Sequence, residues 1–333
     1  MDSPKPRIFG IPNRYLVLLL LVLGFFVARI YHPVLPHIQV APELLSHTPI
    51  VVLPVLGPIF WTNTMTAMVI ADIIMILIAI AVRRATKSGS LVPSGFSGAL
   101  EAVIEVLYNM TESTAGKWAK KVFPWFGAIT IFVLVVNWTE LIPGVDTIGI
   151  LEPVKEHGNP IKNVFGNVFT LLPAEEGADA EHGGFTLIPF VRTLSTDLNF
   201  TVALALISVF MTQVFGVRAL GPGYFSKYLN FRALWNFFKN PMGIIDFGVG
   251  LLEIVSELSK ILSFSFRLFG NIFAGTVLLF VIGTLVPVLA PSIFYLLEVF
   301  VGLIQAFVFG MLTMVFMSQA MAGHGGHDDE HGH

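Results

Sequence analysis

Residues 253–277 read Glu-Ile-Val-Ser-Glu-Leu-Ser-Lys-Ile-Leu-Ser-Phe-Ser-Phe-Arg-Leu-Phe-Gly-Asn-Ile-Phe-Ala-Gly-Thr-Val, part of an apolar run long enough to cross a bilayer that still carries Arg267 near its middle. An arginine at bilayer depth costs roughly 2.5–3.5 kcal/mol on insertion scales, so its presence implies a partner or a hydrated cavity, and a task. At helical spacing Glu253, Ser256, Lys260, Ser263, Arg267, Asn271 and Ala274 recur every three or four residues, while Leu, Ile and Phe fill the other faces. The stretch is therefore one polar stripe on an otherwise lipid-compatible helix. Gly270 and Ala274 form a small-x-x-x-small pair beside it that permits close approach of another helix. Further on, Glu298 and Gln305 are seven residues apart and share a helix face. Arginine does not deprotonate in proteins, so Arg267 cannot relay a proton; it can pair with an ionised carboxylate and release it, or bar a cation by its fixed charge. Glu298 can relay, because burial and a nearby cation pull a carboxylate's proton affinity in opposite directions. That division of labour suits controlled proton transfer.

The elements that must position these groups follow from composition. With 333 residues, 55% hydrophobic and 12% charged, 30 phenylalanines and a mean hydropathy of +0.79, the chain is too apolar for an ordinary soluble domain. The expectation is an all-α polytopic membrane protein. A net charge of −3 gives no support to nucleic-acid binding, and the lack of cysteine excludes disulfides, thiolate metal sites and cysteine nucleophiles. No Gly-Lys-Ser/Thr phosphate loop and no His-Glu-x-x-His helix is present, so no cofactor or metal is expected and nucleotide chemistry must occur on another chain.

Along the chain, residues 15–30 follow Lys5, Arg7 and Arg14 and suit either a signal peptide or an added anchor helix; without a small-x-small cleavage site, retention is favoured. Six prolines make 31–60 an extended connection. The run 62–82 ends at Arg83, Arg84 and Lys87, which places that end in the cytoplasm. Over 97–114, Leu100, Val103, Ile104 and Leu107 oppose Glu101, Glu105, Asn109 and Glu112, the pattern of an interfacial amphipathic helix. The run 122–142 carries Asn137 and Glu140 near its far end. Residues 144–193 form a polar insertion with seven acidic and three basic side chains, expected outside the membrane as a solvated loop or an acidic apron that concentrates cations.

Asp197, Asn199 and Thr201 open the run 199–217, which ends at Arg218. The following loop is expected in the cytoplasm because it holds Lys227, Arg232 and Lys239 without acids; its Tyr224, Phe225, Tyr228, Trp235 and Phe237 suit an interfacial belt. The runs 243–284 and 291–320 remain, and the first would be roughly 60 Å long, about twice the hydrocarbon thickness, so it must tilt steeply or leave the bilayer. Three parts are expected: an N-terminal extension over 1–60, a membrane domain over 61–320, and a His-rich cytoplasmic tail over 321–333, a flexible solubilising end rather than a metal site.

If the last two helices turn near residues 287–288, position i faces roughly position 575 minus i. Thr276 then meets the neighbourhood of Glu298, Asn271 meets Gln305, and Arg267 lies near Gly310. Three buried polar groups, Glu298, Gln305 and Asn271, are thereby expected beside Arg267. One such amide alone suggests interhelical glue; the set with an arginine favours an ion pathway.

The chain resembles the family of subunit a of the F-type ATP synthase, the stator partner of a rotating c-ring. The resemblance rests on Phe266-Arg267-Leu268-Phe269-Gly270-Asn271-Ile272-Phe273-Ala274-Gly275, with Glu253-x-x-Ser256-x-x-x-Lys260 upstream and Gln305-Ala306-Phe307 downstream. Asn137-x-x-Glu140-Leu141-Ile142-Pro143 and Asp197-x-Asn199-x-Thr201 add to it, and it covers about 60–320. The resemblance implies five family-type transmembrane helices with the last two as a long tilted hairpin, and a non-catalytic proton-conducting subunit. Arg267 would face the c-ring carboxylate, Asn271 and Gln305 would line its surroundings, Asn137 and Glu140 an outer route, and Glu253, Ser256 and Lys260 the inner end.

This sequence departs from some members at two positions. Thr276 stands where they have glutamate, and Glu298 where they have histidine, so the acid changes helix without leaving the expected pathway. Implied partners are the c-ring, the subunit b peripheral stalk, membrane lipid and protons, with no nucleic acid; the implied location is an energy-transducing inner membrane with the C-terminus in the cytoplasm. The competing class is a secondary ion-coupled transporter, which often shows repeated halves. No internal repeat is found, and a membrane hydrolase lacks any nucleophile-base pair or metal motif within the spans.

Overall fold

Hydropathy dictates helices first. The computed structural model describes residues 7–8, 11–30, 40–54, 57–87, 95–142, 144–154, 158–172, 184–228, 242–285 and 289–322. Arg232, Trp235, Phe237, Lys239, the expected turn at 287–288, the His-rich tail from 323 and five of the insertion's seven acids lie outside them. In chain order, α1 is Asn13–Ile30, α2 Asn63–Lys87, α3 Phe96–Ala115, α4 Ala119–Thr139 and α5 Leu198–Leu220. The last two are α6, Met242–Leu285, and α7, Leu289–Ala322. Among the described residues, five stretches are long and apolar enough to cross a membrane: Asn63–Arg84, Gly98–Thr139, Leu198–Leu220, Gly248–Leu285 and Ala290–Ala322. The expected all-α polytopic membrane architecture is what the chain adopts.

Local chemistry sets the helix ends. Thr62 Oγ1 accepts the Met65 N–H at 3.3 Å, a side-chain cap on the start of α2. Asp197 caps α5 by accepting the Asn199 N–H at 2.9 Å, and Arg218 sits in the last turn, where a cation suits the helix dipole. Gly221 ends that helix with φ 73°, a conformation that favours glycine. Between α3 and α4 a 3-10 turn, Gly116–Trp118, begins with Gly116 at φ 49° and lets the chain fold back. Tyr108 meets Phe123 edge-on across it, ring centres 5.2 Å apart. The face of α3 that packs inward is Leu107, Thr111 and Ala115; Val103, expected on the same side as Leu107, is exposed together with Val106.

Two units partition the contacts. One comprises Ala67–Thr139, Thr193–Asn271 and Gly302–His333. Its core gathers Leu107 and Ala115 of α3, Val122 and Phe126 of α4, Phe215 of α5, and Met314, Met317 and Met321 of α7. On α4 the buried positions Val122, Phe126, Ile129, Val133 and Val136 recur at helical spacing. Phe264 of α6 lies against Phe309 and Phe316 of α7, at 5.2 and 5.6 Å between ring centres.

The other unit comprises Met1–Thr66, Glu140–Arg192 and Ile272–Val301. Strands occur here, in the connections rather than the spans. β1 (Arg7–Ile8) pairs with β2 (Ile11–Pro12), and β3 (Leu44–Leu53) pairs antiparallel with β4 (Gly57–Thr62). In the insertion β5 (Gly149–Val154) pairs with β8 (Gly184–Pro189), and β6 (Ile161–Phe165) forms a hairpin with β7 (Val168–Leu171). The buried Asn63 is fastened to Glu43: its Nδ2 donates to Glu43 Oε2 at 2.9 Å, its Oδ1 accepts the Glu43 N–H at 3.2 Å, and its own N–H donates to the Glu43 carbonyl at 3.1 Å.

Candidate functional site

The polar stripe on α6 within the first-described unit runs from Glu253 to Asn271. Ser256, Ser263 and Asn271 are exposed, Glu253, Lys260 and Arg267 are half-buried, and a side chain added at Gly270 would meet nothing. Arg267 Nη2 donates to Ser263 Oγ at 3.2 Å, one turn back, and among the described residues no carboxylate pairs with it. Asn271 Nδ2 donates to Gln305 Oε1 of α7 at 2.8 Å, the pairing that the antiparallel register requires. Asn271 itself is exposed, which corrects the expectation of three buried groups: its amide is anchored at the margin of Gln305, which is buried. The reason is the position of Asn271 on the stripe side of α6, with Ile272 turned inward in its place. A second donor, Gln305 Nε2, is buried and has no partner among the described residues.

Asn137 is used at both ends. Its Nδ2 donates to the Gly302 carbonyl of α7 at 3.2 Å and its Oδ1 accepts from Ser195 Oγ at 2.7 Å, all three within the same unit. Gly302 lies where a side chain would press on Asn137 Cβ at 3.2 Å. Ser195, fully buried in the 3-10 turn Leu194–Thr196, was not legible as a site residue, because nothing in its local pattern marks it.

The N-terminal end of the stripe holds a group that sequence reasoning missed. Glu257, buried on α6, accepts from Lys260 Nζ at 2.9 Å and from the Tyr228 hydroxyl at 3.2 Å. Tyr228 also lies 2.7 Å from Gln213 Oε1 of α5. Burial and the neighbouring Tyr224 and Glu257 raise the Tyr228 pKa, so its hydroxyl stays protonated. The i, i+3 spacing of Glu257 and Lys260 was the available signal.

In the second unit three groups converge. Glu140 is buried, and Thr276 Oγ1 of α6, with one hydrogen to donate, lies within hydrogen-bond reach of both Glu140 Oε1 and, at 2.9 Å, the Ile272 carbonyl. Glu298 of α7 is 6% exposed, and its Oε1 has no hydrogen-bond partner among the described residues. Its carboxylate occupies the space in front of Gly275, where any added side chain would collide with it. The expected adjacency of positions 276 and 298 therefore holds, and a glycine makes room for it. Beyond Thr139, Asp146 in the 3-10 turn Val145–Thr147 has its pKa pushed up to about 6 by burial, opposed by Arg192. Tyr295 lies within electrostatic reach of both Asp146 and Glu140.

Chemically, the first unit presents a permanent cation and an amide on an uncovered helix face, and the second holds carboxylates away from water beside a hydroxyl. No group of residues suited to a metal occurs among those described. A family model described as "ATP synthase A chain" matches residues 64–318. Similar curated proteins include "ATP synthase subunit a" of Moorella thermoacetica, 27% identical over 202 residues, 60% of this chain and 65% of that protein. The protein of the same name from Aliarcobacter butzleri is 29% identical over 197 residues, 59% of this chain and 62% of its own length. The matched region thus spans less than two thirds of the length of these relatives.

Proposed function

This chain belongs to the ATP synthase A chain family, and on that footing we propose that it is the proton-conducting stator subunit of an F-type ATP synthase, offering two offset half-channels to a ring of carboxylate-bearing rotor subunits. The observation that carries the proposal is the uncovered stripe on α6. A half-buried arginine whose hydrogen bond among the described residues is to Ser263, an exposed asparagine and an open Gly270 form a face that lipid would solvate poorly, so it calls for a polar partner on another chain.

In this reading a proton enters from the outer side past Glu140, Thr276 and Glu298, and reaches the rotor carboxylate near Gln305 and Asn271. The neutral carboxylic acid then travels through lipid, and after nearly a full turn releases the proton toward Glu253, Ser256 and Lys260. Arg267 keeps the two routes apart, because a direct leak must pass a fixed positive charge. Moving one charge down 100 mV supplies about 2.3 kcal/mol, the drive that is converted into rotation. Asn137, with both ends of its amide engaged, ties α7 to the 3-10 turn that precedes α5. The peripheral stalk and lipid complete the partners, the site of action is an energy-transducing membrane, and ATP chemistry belongs to other subunits.

The test is ATP-driven pumping in inverted vesicles, comparing wild type with Glu298→Gln in buffers with and without sodium, after purification with a ring of small hairpin subunits. Glu298→Gln is expected to lower pumping by about tenfold or more, as loss of a positioned proton-transfer group does, with no dependence on sodium. Substrate uptake by the isolated chain, or unimpaired pumping in the variant, contradicts the proposal.

A further inference from the structure

We propose that Glu257 is a positioning carboxylate of the inner route, one that holds Lys260 as a neutral pair so that the stripe on α6 exerts its positive charge at Arg267 alone. The inference rests on the stator reading above and adds a residue to it. Lys260 and Arg267 are seven residues apart, two helical turns, so both cations lie on one side of α6 about 10 Å apart along its axis. Lys260 is not left bare: its Nζ is 2.9 Å from Glu257 Oε1 and 4.8 Å from the centre of the Phe316 ring of α7.

Glu257 is fixed in turn. The Tyr228 hydroxyl has one hydrogen and two acceptors before it, Glu257 Oε1 at 3.2 Å and Gln213 Oε1 at 2.7 Å, while Gln213 Nε2 is buried and has no partner among the described residues. Exchanging the oxygen and nitrogen of that amide gives the tyrosine hydrogen a single acceptor, and leaves the amide oxygen, in place of the nitrogen, as the buried atom without a partner among the described residues. Gln213 then donates to the tyrosine oxygen, Tyr228 donates to Glu257, and Glu257 receives Lys260 as well. The chain Gln213, Tyr228, Glu257, Lys260 ties α5, the segment after it and α6 into one bracket that holds an ionised carboxylate. Among the described residues, the titratable and charged groups in contact with Glu257 or with its partners include Lys260, one turn along its own helix, Tyr228, and Tyr224 beside Tyr228; Glu253 lies one turn before it, and α5 and α7 contribute the neutral Gln213 and Phe316.

The consequence is electrostatic. In ATP-driven pumping the rotor carboxylate must take a proton from the inner side. An uncompensated Lys260 would depress that carboxylate's proton affinity, and an uncompensated Glu257 would raise it. At this separation and an intermediate dielectric each is worth about one pH unit.

The complete synthase in vesicles is assayed for ATP-driven acidification, normalised to ATP hydrolysis, as the pH on the inner side is varied. Glu257→Gln is expected to move the alkaline limb down by about one pH unit, Lys260→Gln to move it up by a similar amount, and the double variant to bring it back to within about 0.3 unit of wild type. A uniform loss of rate with no movement of the limb would make the bracket merely structural and overturn the inference, as would two single variants that move the limb the same way. Should Glu257→Gln fail to assemble, an unmoved limb in Lys260→Gln overturns it equally. Arg267→Ala is run in parallel: normal pumping there brings down the stator reading and this inference together, whereas a silent Arg267→Ala beside an unmoved Glu257→Gln brings down this inference alone.

Discussion

Arg267, Asn271, Gln305, Glu140 and Glu298 stand out in sequence because polar side chains inside apolar runs need a reason. What the sequence hides is the partner each one chooses. Gly275 follows the Gly270–Ala274 pair with nothing in the sequence to mark it, yet its missing side chain is the space that the Glu298 carboxylate fills. Gly275→Ala is therefore expected to cost about 1–3 kcal/mol through overpacking, seen as a lower unfolding temperature in detergent, and Glu298→Asp in the same chain should recover part of it by withdrawing the carboxylate. Asp146 offers a titration. Its pKa is raised from 3.8 to about 6, so the folded chain holds a proton that the unfolded chain has released between those values. Stability from this group is thus greatest at low pH, declines as pH rises through that window, and is flat above about 6. Asp146→Asn should flatten the profile, and Arg192→Ala, which removes the lowering influence, should push the carboxyl infrared titration higher still.

At the scale of elements, the helices were legible and the strands were not. Expected runs at 199–217, 243–284 and 291–320 correspond to Leu198–Leu220, Met242–Leu285 and Leu289–Ala322, because length and unbroken hydrophobicity decide a span locally. The hairpin arithmetic succeeded at Asn271, which does meet Gln305, because the regular rise of two antiparallel helices leaves little freedom in their register. A double-mutant cycle on that pair should give a coupling of about 0.6 kcal/mol, at most ~1.7, the range for interhelical hydrogen bonds in membranes. A value near zero would mean that the two amides serve the ion path without holding the helices together. The strands of the insertion escaped because pairing such as Glu152 with Thr186 joins positions far apart in sequence, with weak alternation on either side. Gly166, at φ 55°, and Asn167 make the two-residue turn between Phe165 and Val168, the local signal that the β6–β7 hairpin carried.

The whole molecule is a membrane protein whose two units divide the candidate residues between them, the Arg267 stripe in one and the Glu140, Thr276 and Glu298 group in the other. The chain has no cysteine, so single cysteines report topology without background. Lys162→Cys, in the insertion, should be labelled by an impermeant maleimide from the outer side, and Lys120→Cys, at the start of α4, from the inner side. Reversed labelling would invert the proposed routes. What unites both units is the claim that a fixed guanidinium at bilayer depth forces protons to travel with a rotor instead of leaking past it. Acid-to-base-driven ATP synthesis by vesicles carrying the complete synthase, wild type against Arg267→Ala, measures that claim directly. The alanine variant is expected to make no ATP above background while still assembling, and normal synthesis by that variant would contradict the stator role proposed for Arg267.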